Sequence, residues 1–259
     1  MKTAHQSDVP GKAAGSSSPI GAVVTDIEGT TSSILHVHRV LFPYSRDRVA
    51  DWLWTAGPEH MPLIDDVRKL AGLPRASLDK VAEILRNWID ADRKASPLKE
   101  IQGLIWADGY QSGEISSHVY ADVPRALRRW RASGLTVGSY SSGSILAQQL
   151  WFRHTPVGDL LPYFDRFFDI PAVGPKHERD SYQKITAAIG LPGEAVLFMS
   201  DVRAELDAAA AAGLRTVGVH RVPGDRPGLG DHPVIDTFDR LKESSWAHLF
   251  PEHGLPKSG

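Results

Sequence analysis

Ala22-Val23-Val24-Thr25-Asp26-Ile27-Glu28-Gly29-Thr30-Thr31 is the stretch on which the reading of this chain turns. Ala22 to Thr25 is a short apolar run, the pattern of a buried strand. It stops at Asp26, and Glu28 follows two residues later. Gly29 then lets the backbone turn sharply. Two carboxylates at the end of a buried strand are costly to desolvate, unless a cation or phosphate chemistry needs them there.

Downstream, the apolar spacing is helical from about residue 36 to residue 121. Asp47 to Trp54 reads as a helix, and Leu63 to Ala71 as another, closed by Gly72. Ser77 to Asp92 is the clearest amphipathic segment. Leu78, Val81, Ile84, Leu85, Trp88 and Ile89 recur there at three- and four-residue spacing. Leu98 to Ala107 continues the pattern, and Asp108-Gly109 is expected to break it. The character changes at Asp122, which can cap a helix with Pro124 in its first turn and Gly134 at its end. Strands are expected at Leu135–Tyr140, Ala195–Met199 and Thr216–Val219, with a short edge strand at Val234-Ile235. Helices are expected at Ser144–Arg153, His177–Ile189, Ala204–Ala212 and near Phe238–Leu241. Alternating strands and helices signal a parallel sheet, which the strand around Val23 would join.

The expected architecture is therefore α/β. A Rossmann-like parallel-sheet core spans 19–35 and 122–250, with a helical cap inserted at 36–121. Residues 1–18 read as a disordered tail rich in Ala, Gly and Ser, and 251–259 as a loose one. The length of 259 residues suits a core with one smaller unit. A formal net charge of −2 gives no reason to expect a nucleic-acid or anionic-membrane partner. The absence of cysteine excludes disulfides, cysteine nucleophiles and thiolate metal sites. The longest apolar runs are too short for a bilayer, and Met1 to Ser18 has no apolar segment of signal-peptide length. A cytoplasmic protein is expected.

Ligands of open α/β sheets bind at the carboxyl ends of the strands. Asp26 and Glu28 follow the first strand, and Ser141-Ser142-Gly143-Ser144 follows the strand ending at Tyr140. Ser200-Asp201 follows the strand ending at Met199, and Gly174-Pro175-Lys176 precedes the helix at His177. In chain order these resemble the four motifs of the haloacid-dehalogenase superfamily of aspartate-nucleophile phosphatases. The variant Asp-Ile-Glu-Gly-Thr-Thr is similar to one branch, the enolase-phosphatases (acireductone synthases) of methionine salvage. The cap supports that branch through Asp92-Arg93-Lys94-Ala95-Ser96-Pro97-Leu98-Lys99, Gln102-Gly103-Leu104-Ile105-Trp106 and His118-Val119-Tyr120. Ser117 and Ile170-Pro171-Ala172-Val173 depart from the branch pattern.

The chemistry expected of each residue follows. Asp26 is the candidate nucleophile, forming an aspartyl-phosphate that water cleaves. Glu28 is the candidate general acid and base. Ser141 would hydrogen-bond the phosphoryl group, with backbone N–H groups of Ser142 and Gly143 as added donors. Lys176 would set a positive charge beside the phosphate and Asp26. The resemblance implies one magnesium ion per subunit, held by Asp26, the backbone carbonyl of Glu28, and Asp201. Three carboxylates beside a phosphate of about two negative charges need such a cation.

The resemblance also implies the substrate, 2,3-diketo-5-methylthiopentyl-1-phosphate, which is enolised and then dephosphorylated to the acireductone by a monomeric enzyme. A generic sugar-phosphate phosphatase is the nearest alternative, and a non-enzymatic phospholigand-binding protein the alternative of another class. A dehalogenase fits less well, because its chemistry needs no magnesium-binding Asp201. Nothing in the sequence identifies the enolisation base. Glu114 and His118 are loose candidates, for which a cap salt bridge and a packed histidine are the expected roles. His36 and His38 are expected at the surface or cap hinge, and Trp52, Trp54, Trp88 and Trp106 in the cap core.

Overall fold

In the computed structural model, which describes residues 19–222 and 228–241, six strands make one parallel sheet. They are β1 (Ala22–Thr25), β2 (Thr136–Tyr140), β3 (Arg166–Phe168), β4 (Val196–Ser200), β5 (Arg215–Val219) and β6 (Val234–Ile235). Their order is β3-β2-β1-β4-β5-β6. The chain thus builds outward from β1 to β3, then crosses back to β4 on the other side of β1. That reversal puts a crevice between β1 and β4 at the carboxyl edge of the sheet. The tails expected at 1–18 and 251–259, and positions 242–250, lie outside the described residues.

β1 is buried along its whole length, as a central parallel strand covered on both faces must be. Alternate side chains serve two apolar layers. Val23 packs with Val137, Leu197 and Val217 on one face, and Val24 with Tyr140, Val196 and Phe198 on the other. In register, Thr25 lies opposite Ser139 on β2 and Met199 on β4. The residues just past the three strand ends, Asp26, Ser141 and Asp201, therefore emerge side by side.

Between β1 and β2 the described chain is helical, with main helices Phe42–Thr55, Met61–Leu70, Leu78–Asp90 and Ser96–Ser112. They bury a cluster of their own around Val49, Ile64, Val81, Leu85 and Ile101. Val37, Leu41 and Tyr110 pack instead with the sheet's cluster. The helix Ser96–Ser112 runs straight through Asp108-Gly109, contrary to the expected break. Gly109 serves close packing there, since a Cβ would lie 2.5 Å from the Tyr44 ring. The helix ends instead at Gly113, which takes the left-handed conformation at φ 76°.

Asp122 precedes the helix Val123–Ala132 but does not cap it with its side chain. Its carboxylate turns toward the far edge of the sheet. Oδ2 accepts from Arg221 Nη1 (2.7 Å), Thr237 Oγ1 (3.0 Å) and the Phe238 amide (2.6 Å). Arg221 also donates to the Thr30 carbonyl (2.8 Å), so one buried pair joins the turn after β1 to the last described segment. β3 was not expected, being only three residues long, and Phe238–Arg240 is a 3-10 turn where a helix was expected.

Candidate active site

The turn after β1 is wound tightly. The amides of Thr30, Thr31 and Ser32 all point at the Ile27 carbonyl, and Gly29 donates to Ser32 O. Asp26 extends the parallel pairing by donating its amide to Met199 O (2.9 Å), which leaves its side chain at the strand end, nearly buried. Gly29 has φ 79°, a conformation that suits glycine. It also lies flat against Asp201, since a Cβ on Gly29 would collide with the Asp201 carboxylate. The missing side chain thus lets the carboxylate from the end of β4 approach the first turn.

Lys176 bridges the site. Its Nζ lies 2.6 Å from Asp26 Oδ1 and 2.7 Å from Glu205 Oε2. Three hydroxyls hold its backbone: Tyr140 donates to Gly174 O, Ser181 to Pro175 O and Tyr182 to Lys176 O, each at 2.7 Å. Burial works against the Lys176 charge, but Asp26 and Glu205 outweigh it and its pKa moves up. Glu205 carries a role that sequence reading missed. It accepts from Ser200 Oγ (2.7 Å) as well as from Lys176, and so fixes the cation. Its place in the Glu205-Leu206-Asp207 segment after Asp201 was the available signal.

The loop after β2 is equally constrained. Gln148 donates to the Gly143 and Phe168 carbonyls (3.0 and 2.8 Å). Ser144 caps the helix Ile145–Arg153 by accepting from the Ala147 amide. Gly143 was expected to offer its amide to a ligand. It donates instead to Ser141 Oγ (3.1 Å), which orients that hydroxyl. Ser142 turns its carbonyl to Lys99 Nζ (3.0 Å).

The carboxylates are strained electrostatically. Burial, then the Asp26 charge, pushes Asp201 up to about 6. The same two causes, in the same order, raise Glu28, while Lys176 pulls the other way. Asp201 Oδ1 is buried without a hydrogen-bond partner. An acceptor so placed, against a glycine and facing Asp26, fits a divalent cation. Among the described residues no three acidic or histidine side chains gather as a metal cluster. Magnesium suits that donor set, because it takes one or two carboxylates and keeps several waters.

A pocket opens from this edge toward the helices between β1 and β2. Glu28, Ser141, Ser142 and Gly143 line its floor. Trp88, Trp106, Tyr110, Leu41, Phe42 and Trp151 give it apolar walls, and Arg93, Lys94 and Lys99 supply cations. Trp88 and Trp106 thus face the pocket rather than serving packing alone, whereas Trp54 is exposed. His38 lines the pocket too, and His36 is half-buried and bonded to Ser116 O (2.9 Å). Glu114 pairs with Arg48, and His118 Nδ1 accepts from the Ser33 amide (3.1 Å). Neither lines the pocket, and each takes the bland role expected of it.

Residues 20–213 match the family model of haloacid dehalogenase-like hydrolases. Enolase-phosphatase E1 of Streptomyces avermitilis is 48% identical, over 85% of this chain and 93% of its own length. The chain is a haloacid dehalogenase-like hydrolase of the enolase-phosphatase E1 family. Enolase-phosphatase E1 of Frankia alni is 45% identical over 83% of this chain and 92% of that protein. The crystal structure of the UTR4 protein from Saccharomyces cerevisiae superposes with a TM-score of 0.72 at 33% identity, covering 85% of this chain and 99% of that one. The matched region of this enolase-phosphatase takes in the helical block as well as the sheet. No helix among the described residues is long and apolar enough to cross a membrane.

Proposed function

We propose that this enolase-phosphatase enolises 2,3-diketo-5-methylthiopentyl-1-phosphate and then hydrolyses the phosphate ester, releasing the acireductone. The observation that carries the reading is the pocket. One end offers phosphate chemistry at Glu28 and Ser141, and its walls are aromatic and aliphatic. A phosphate at the floor would leave the methylthioethyl tail against Trp88, Trp106 and Leu41.

In this reading Ser141 donates its hydroxyl to the phosphoryl group, and Lys176 offsets the charge of both phosphate and nucleophile. Asp26 attacks phosphorus through the oxygen that Lys176 does not hold, and the P–O ester bond breaks. Glu28 gives its proton to the leaving oxygen, a task suited by the upward shift of its pKa. It then takes a proton from the water that cleaves the aspartyl-phosphate. Asp26, Asp201 and the Glu28 carbonyl would hold one magnesium ion, which supplies positive charge against the phosphoryl oxygens. The helical segment serves as a cap that keeps water from the pocket, and a single cytoplasmic chain provides every group used.

The test follows ultraviolet absorbance and phosphate release together on the diketone ester, with magnesium and then with chelator. A transient enol absorbance followed by magnesium-dependent phosphate release is expected. Phosphate release with no enol signal in single turnover would reduce the enzyme to a plain phosphatase, and silence in both channels would remove catalysis.

A further inference from the structure

The enolisation needs a base, and the roles given above to Asp26, Glu28, Ser141 and Lys176 do not include it. C1 of the substrate carries the phosphate ester oxygen and C2 the carbonyl. With phosphate against Ser141, the C1–C2 bond would lie beside the Ser141-Ser142 loop, which lines the pocket. Three cations of the helical cap line that pocket. Lys94 is paired with Asp92 (2.5 Å), and Arg93 stacks over Trp88 with its Cζ 4.3 Å from the ring centroid. Lys99 is different. Its Nζ reaches across to the core and donates to Ser142 O at 3.0 Å, and no described carboxylate forms an ion pair with it. It is half-buried, and it sits in the first turn of the helix Ser96–Ser112, where the helix dipole disfavours a cation.

We propose that Lys99 is a catalytic residue of the enolisation, acting as the base that moves a proton from C1 to the C2 oxygen. The neutral Lys99 amine takes the C1 proton. The C1–H bond pair becomes the C1=C2 bond, and the carbonyl π pair moves onto oxygen. The ammonium so formed stands beside the enolate oxygen and gives it the same proton. The enol phosphate results, the amine is regenerated and no other reactant is consumed. A lysine is suited to this where burial and a neighbouring cation make its neutral form accessible. Burial and Lys94 lower the Lys99 pKa, while Glu28, Asp92 and Asp169 act in the opposite direction.

This inference rests on the enolase-phosphatase reading, and the experiment separates the two. Wild type, Lys99→Met and Lys99→Arg are compared in single turnover on the diketone ester with magnesium, reading enol absorbance and phosphate separately across pH. Enol formation in wild type should rise with pH and then level as the amine loses its proton. Both variants should form enol roughly 10²- to 10⁴-fold more slowly and lose that pH dependence, while inorganic phosphate binds them as it binds wild type. Arginine keeps the charge and the reach to Ser142 O, so it should fold, but it cannot give up its proton. An arginine variant at wild-type rate would overturn the base role. So would a methionine variant with normal enol formation, or a parallel loss of phosphate affinity, which would make Lys99 a phosphate ligand. Wild type releasing phosphate with no enol signal would instead overturn the functional reading itself.

Discussion

Asp201 is held in a place its charge resists. With its carboxyl raised to about 6, the metal-free folded state binds a proton more readily than the unfolded chain does. Stability of the metal-free protein should therefore fall as pH rises from about 4 to about 6. Asp201→Asn removes that opposition. It should stabilise the metal-free protein at pH 7 by roughly 1–3 kcal/mol and abolish the stabilisation that magnesium gives, both read by thermal unfolding with and without the ion. An unchanged response to magnesium would release Asp201 from the metal site. Gly29 makes a second residue-scale case. Gly29→Ala meets both a positive φ and the Asp201 carboxylate. It should destabilise by at least about 1–2 kcal/mol and weaken magnesium binding in calorimetric titration, since Asp201 must retreat.

At the scale of elements, the sequence was legible where a pattern repeats and silent where tertiary contacts decide. The apolar period of Leu78 to Ile89 placed the helix Leu78–Asp90 within two residues at each end. The alternation from Asp122 onward gave the parallel sheet, and the turn residues after three strands named the side chains now found at one edge. Asp108-Gly109 misled because a glycine chosen for contact with Tyr44 looks, in sequence, like one chosen for a turn. β3 is too short to carry a period. Asp122 has the residue type of a helix cap, but its partners Arg221 and Phe238 lie about a hundred positions away, where local reading does not reach. Glu205 and Lys99 share that fate, for each is defined by what it meets across the site. The Asp122–Arg221 pair has its own consequence. Burial pushes the Asp122 carboxyl up, but Arg221 and the bonds from Phe238 and Thr237 prevail and its pKa falls below the ordinary range. Its contribution is therefore present above the unfolded carboxylate value and lost as pH falls through the folded one. Asp122→Asn should cost about 3 kcal/mol at pH 7, and the gap should narrow below about pH 4 in denaturant titrations.

For the whole molecule, the insertion between β1 and β2 divides the labour. The sheet edge gathers Asp26, Ser141 and Asp201, and the helices wall the pocket that opens from that edge. The helical cluster is largely separate from the sheet's two apolar layers, so each part can consolidate from its own contacts. The helical contacts are local and the strand pairings are not. In pulse-labelled refolding, amides of the helix Leu78–Asp90 should be protected before those of β1; simultaneous protection would mean that the two layers condense together. The position of β1 also bears on synthesis. The strand that leads into Asp26 is made before its partners, which are Thr136–Ser139 on one side and Val196–Met199 on the other. At about 5–20 residues per second, the ribosome leaves this apolar segment without a neighbour for many seconds after it emerges. The centre of the finished sheet is thus the nascent chain's longest-exposed adhesive edge, and the helices made in the interval are the first structure able to shelter it.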